Sequence, residues 1–129
     1  MPHLVVDGVA VCDIEVAQTF VTRGRGMLWR RRLPEALLLY PGGSVHGVGM
    51  TRSLDVALLV PAAAQTAPGR GGRAPGSYRV ARIAVLRPFG LLGSRRGVRA
   101  VLEAPAGRFE WWQLNEASSI EVRPGPMLP

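Results

Sequence analysis

Leu4-Val5-Val6-Asp7-Gly8-Val9-Ala10-Val11 sets two short apolar runs on either side of an Asp-Gly pair. Asp-Gly between apolar runs is a strong hairpin signal, because both residues tolerate the positive φ that a tight strand-to-strand turn needs. The chain therefore opens as two strands, and residues 13–20 extend the second. Further on, Ala36-Leu37-Leu38-Leu39-Tyr40 is a five-residue apolar run stopped by Pro41-Gly42-Gly43, which predicts a buried strand. Residues 44–50 read as extended, with glycine at 47 and 49, and residues 54–60 form the most hydrophobic strand. Residues 78–86 alternate arginine with aliphatic residues, residues 98–103 give another strand, and residues 120–122 a last one.

Helical signals are few. Residues 26–32 fit one or two turns ended by Pro34, and residues 106–114, carrying Phe109, Trp111 and Trp112, fit a second short helix. The expected fold class is α+β, mostly antiparallel β, with about seven or eight short strands and two short helices. One domain is expected over residues 1–122. Residues 61–77, rich in Ala, Pro, Gly and Arg, read as a mobile loop, and residues 123–129 as a disordered tail.

The chain has 129 residues and 47% hydrophobic content, enough for one core without disulfides or metals. No apolar run reaches the length of a membrane span, since Asp55 interrupts the longest, residues 54–64. The start, Met1-Pro2-His3-Leu4, lacks a basic region followed by an apolar stretch, so the expected location is cytoplasmic. The lone cysteine, Cys12, lies in an apolar stretch and reads as a small buried hydrophobe.

Net charge is +7, and all sixteen basic residues are arginine. Between Asp55 and Glu103 there is no acid, yet Arg70, Arg73, Arg79, Arg82, Arg87, Arg95, Arg96 and Arg99 fall there. A field of one sign over residues 70–99 attracts polyanions, nucleic acid first among them, and equally serves as a solvated surface. Base-stacking aromatics are sparse in that stretch, with Tyr78 and Phe89 alone, while Trp29, Trp111 and Trp112 are expected to pack the core.

Most site chemistries lack their residues. Two histidines and one cysteine, without ligand spacing, do not make a zinc site. No lysine exists for a phosphate-binding loop or a Schiff base. Gly-x-Ser-x-Gly is absent, and the nine acids are scattered. No catalytic set, cofactor or metal is assigned. One stretch stands out: Ser44-Val45-His46-Gly47-Val48-Gly49-Met50-Thr51-Arg52-Ser53-Leu54-Asp55. If extended, Ser44, His46 and Met50 share a face, and the two glycines leave the other face bare for close approach. Asp55 beside an apolar strand needs a partner, with Arg25, Arg30 and Arg52 as candidates, or else it caps a turn.

These residues resemble the family called domain of unknown function 192. The resemblance runs through Arg25-Gly26-Met27-Leu28, Arg30, Leu33-Pro34, Ala36-Leu37-Leu38-Leu39, Ser44-Val45-His46, Gly49-Met50 and Leu54-Asp55-Val56. It continues through Leu86-Arg87-Pro88, Ala100-Val101-Leu102-Glu103, Ala106-Gly107 and Leu114, and so covers residues 17–122. The chain departs from the pattern at several places. Gly42 or Gly43 stands where cysteine is usual, Gly47 and Val48 replace Thr-Phe, Thr51-Arg52-Ser53 replaces Arg-Phe-Pro, and Ala117-Ser118 replaces Gly-Asp. The resemblance implies a compact, mostly β domain and no particular reaction.

Three functions are weighed. The first is a non-catalytic binding module for a small ligand or a protein partner, using Arg25, Arg30, Ser44, His46, Met50, Arg52 and Asp55. The second is an enzyme with His46 as general base, Asp55 orienting it, and Arg25 or Arg52 holding an anionic substrate. The third is nonspecific nucleic-acid binding through residues 70–99. The sequence leaves the oligomeric state open.

Overall fold

A computed structural model describes residues 1–17, 35–42, 45–46, 53–62, 76–87, 91–93 and 96–127, with 45–46 and 91–92 described by their backbone alone. The expected helix over residues 26–32 and most of the loop over 61–77 lie outside these residues. Ten strands are described: β1 (His3–Val6), β2 (Val9–Asp13), β3 (Glu15–Ala17), β4 (Leu37–Leu39), β5 (Val45–His46), β6 (Leu54–Pro61), β7 (Ser77–Leu86), β8 (Leu91–Leu92), β9 (Ala100–Pro105) and β10 (Ser119–Arg123). The only helix among the described residues is α1 (Arg108–Trp111).

Eight strands form one sheet in the order β2-β1-β10-β7-β6-β9-β4-β3, and β5 and β8 form a separate ribbon. The α+β expectation is thereby corrected. The molecule is mostly β, a nearly closed mixed barrel with a single four-residue helix among the described residues. The sheet is also not wholly antiparallel, because β3 runs parallel to β4. Closure comes from one short piece of chain. β2 pairs with β1 as far as Asp13, and from Glu15 the same run pairs with β4. Between them Ile14 is fully buried, and its N–H donates to the Pro2 carbonyl at 3.0 Å. The two sheet edges are therefore consecutive in the chain, which removes exposed edges that would otherwise recruit other strands.

The Asp7-Gly8 turn forms as its residues predict, with φ of 50° and 84°. The Asp7 carboxylate accepts from the Ser119 N–H and the Ser118 hydroxyl, both at 2.9 Å, tying the first hairpin to the last strand. Arg123 closes β10. Beyond it, the Met127 N–H donates to Asp13 at 2.8 Å, and His3 Nδ1 lies 2.8 Å from the Gly125 carbonyl.

The interior is filled by alternate residues of the strands: Leu4, Val6, Cys12, Ile14, Leu38, Ala57, Leu59, Tyr78, Ala100, Leu102 and Ile120. Alanines opposite rings are what a small barrel needs to pack its taper. Phe109 and Leu114, from α1 and the turn after it, close one end, and Tyr40 and Tyr78 belong to the other. Trp111 does not pack the core as expected. It is 78% exposed, and the Arg108 guanidinium lies over its ring at 5.0 Å. Trp112 instead packs against the interior, 6.0 Å from Phe109 between ring centres.

A second apolar layer lies outside the barrel. Leu54, Val56 and Leu58, on the opposite face of β6 from Ala57 and Leu59, join Ala17, Leu37, Leu39, Leu86, Val98 and Val101. Burial on both faces explains why β6 reads as an uninterrupted apolar run.

Candidate functional site

Of the seven sequence-predicted site residues, Arg25, Arg30, Ser44, Met50 and Arg52 lie outside the described residues. His46 is placed by its backbone, in β5 opposite Leu91 of β8. Asp55 is described in full. It sits second in β6, opposite Val85 and Ala104, and its Oδ2 accepts the N–H groups of Gly107 at 2.9 Å and Phe109 at 3.0 Å.

Those two bonds explain α1. The residue before the helix is Gly107, in a left-handed conformation with φ of 97°, and it has no side chain with which to cap. Asp55 supplies the missing cap from a distant strand, and its charge also suits a helix start. The alternative in which Asp55 caps a turn thus describes its Oδ2, which is committed to backbone donors.

The register identifies a polar pair that inspection of the sequence did not single out. On the outer face, Glu15 of β3 lies beside Leu37 of β4, Leu37 beside Glu103 of β9, Glu103 beside Val56 of β6, and Val56 beside Ala84 of β7. Glu103 is 2% exposed, and Glu15 is half-buried. Two strand spacings, about 10 Å, separate their Cα atoms. Both residues have interaction partners within the protein. A buried charge of this kind is tolerated only with such engagement, because burying a lone carboxylate is very costly. The signal in the sequence was a single acid inside Ala100-Val101-Leu102-Glu103-Ala104, where every neighbour is apolar.

The next row of the same face ends in an arginine: Ala17, Leu39, Val101, Leu58 and Arg82. Arg79 and Arg82 are three positions apart, which in a regular strand would place them on opposite faces. A bulge on β7, opposite Leu58 and Leu59, leaves Ala81 without a register partner in β6, so Val60 pairs with Arg79 and Leu58 with Arg82. Both guanidinium-bearing residues therefore share the outer face. Arg87, Arg96 and Arg99 are exposed.

The ribbon of β5 and β8 lies against β7. Before β5, the Gly42 N–H donates to the Arg99 carbonyl at the tyrosine end. After it, Leu54 begins β6 at the helix end. The return connection starts from Leu86 at the helix end, passes through β8 against β7, and reaches Gly97 beside Val60 at the tyrosine end. β5 and β8 pair antiparallel, with Val45 beside Leu92 and His46 beside Leu91. His46 belongs to this returning ribbon.

Among the described residues, no group of three or more His, Cys, Asp or Glu side chains stands close enough to share a metal ion. None of their helices is long and apolar enough to cross a membrane, a statement that does not extend to strands. Burial raises the Cys12 thiol pKa to about 12, with the Glu35 and Asp13 charges adding to the effect. Such a thiol is a packing group and not a nucleophile.

No protein-family model matches the sequence, and no curated protein matches it. Solved structures do. A protein of unknown function from Novosphingobium aromaticivorans superposes with a TM-score of 0.68 at 20% identity, over 93% of this chain and 83% of that one. A protein from Sinorhizobium meliloti, provisionally described as a transcription regulator, gives 0.70 at 18% identity, over 94% of this chain and 92% of that one. At these identities the likeness establishes a shared barrel fold over nearly the whole chain, and nothing finer.

Proposed function

We propose that this chain is a non-catalytic binding module, and that its ligand, a small molecule or a segment of a partner protein, is held at the ribbon that carries His46, beside β7. One observation carries this reading. His46 stands in a two-stranded ribbon, β5 with β8, that is separate from the eight-stranded sheet and lies against β7, whose outer face carries Arg79 and Arg82. A few convergent polar groups within an apolar surface are the usual make-up of a binding site. Arg25, Arg30, Ser44, Met50 and Arg52 belong to the same proposal as further contacts. So does membership in the domain of unknown function 192 family, supported by its ordered motifs. The enzymatic alternative through His46 and Asp55 is less well supported, since Asp55 Oδ2 already serves α1.

The test is a thermal-shift screen of a general fragment library against the intact chain, repeated with His46→Ala and Arg52→Ala. The expected outcome is a fragment that stabilises the parent and not the two variants, both of which still unfold cooperatively. Fragments that stabilise all three proteins equally would place the site elsewhere.

Nucleic-acid binding is a second reading, favoured by the bulge that aligns Arg79 with Arg82 and by the description given to the Sinorhizobium protein. Gel shifts over a salt series examine it. Binding through several phosphate contacts falls by orders of magnitude between about 50 and 200 mM salt, and Arg79→Ala with Arg82→Ala should flatten that slope.

A further inference from the structure

Tyr78 is 1% exposed, and its hydroxyl makes no hydrogen bond to any described protein group. The ring belongs to the interior cluster at the end of the barrel opposite α1, its backbone lying between Pro61 of β6 and Ile120 of β10. Tyr40, itself 7% exposed, joins the same cluster. Burial pushes the Tyr78 phenol pKa well up, and the nearby Tyr40 phenol adds to the effect, so Tyr78 remains a neutral O–H donor at ordinary pH. A buried donor without an acceptor costs roughly 1–3 kcal/mol, and most proteins satisfy such a group or replace it. Phenylalanine would fill the same space at no such cost.

We propose that the Tyr78 hydroxyl is a ligand-binding donor, and that the tyrosine end of the barrel takes a small uncharged molecule presenting a carbonyl oxygen to it. The class follows from the surroundings. The donor is neutral, and its cluster is made of apolar side chains with Leu4, Leu59, Ala100 and Ile120 among them. Among the described residues no ionised side chain belongs to that cluster, so an ionic ligand is disfavoured. This site is distinct from the one proposed at the ribbon and does not depend on it.

The experiment uses the intact chain with N-methylacetamide and γ-butyrolactone as neutral carbonyl probes and acetate as the ionised comparison, followed by amide and methyl NMR shifts. The neutral probes are expected to move resonances of Tyr78, Tyr40, Ala100 and Ile120, and acetate to leave them unmoved. Tyr78→Phe should weaken the neutral probes by about tenfold, the worth of one net hydrogen bond, while remaining folded with an equal or higher Tm. Tyr40→Phe, which keeps the orphan donor, should retain binding. Probes that leave these resonances unmoved, or that bind Tyr78→Phe as tightly as the parent, would overturn the proposal and leave the hydroxyl as an unpaired or water-bound group.

Discussion

The two ends of the barrel each bury a polar side chain and treat it in opposite ways. At the helix end, Asp55 is 8% exposed, and one of its oxygens collects two backbone N–H groups. At the tyrosine end, the Tyr78 hydroxyl is more deeply buried and has no described protein partner. A satisfied buried group is scaffold, because removing it strands the donors it served. An unsatisfied one is a cost to the fold, and its retention needs a reason outside the fold. The contrast teaches that burial alone does not separate structure from function; the hydrogen-bond ledger does.

The largest effect that could break this comparison is at Asp55. Asp55→Ala leaves the Gly107 and Phe109 N–H groups without an acceptor and uncaps α1, whose Phe109 closes the barrel. We expect a loss of about 3 kcal/mol, from the stranding of donors bonded to a charged group, read as a lower denaturant midpoint with the slope unchanged. A loss under about 0.5 kcal/mol would show that the cap is dispensable and that Asp55 is free for another role. Gly107→Ala comes next. At φ of 97°, with no heavy atom close to where a Cβ would sit, the penalty is conformational and not steric. It should cost about 1–2 kcal/mol by the same measurement.

Much of the barrel was legible before the coordinates. The Asp-Gly hairpin and the apolar runs of β4, β6, β7 and β9 announce themselves through local composition, and each falls within a residue or two of its expected place. Closure did not, because Ile14 is one more aliphatic residue in a strand, and nothing local says that the partner changes there. The parallel pairing of β3 with β4 is non-local in the same way. The second helix shrank to four residues because Gly107 delays its start, and Gln113 turns the chain at φ of 55° just beyond it. At the site, Asp55 was noticed for its chemistry, but the donors it serves lie more than fifty residues away. Glu103 stood in plain view as the one acid in an apolar strand, yet only register shows that it shares a row with Glu15. The spacing of Arg79 and Arg82 misleads until the bulge is known.

The smallest effect sharpens the comparison from inside the barrel. Cys12 faces the same interior as Tyr78 and is 1% exposed, with a thiol raised from 9.0 to about 12. At pH 8 the native chain should resist iodoacetamide, and labelling should appear only as denaturant opens the barrel. The sign of the pH dependence follows from the shift. A raised thiol pKa means that, between about 9 and 12, the folded chain keeps a proton that the unfolded chain releases. The thiol's contribution to stability is therefore fully present below about pH 9 and is lost as pH rises toward 12. Cys12→Ala should remove that alkaline slope while leaving the neutral-pH midpoint slightly lower. Native-state labelling at pH 8 as fast as in denaturant would mean that the interior admits a charge-forming reaction, and that its apolar side chains do not supply the selectivity claimed at Tyr78.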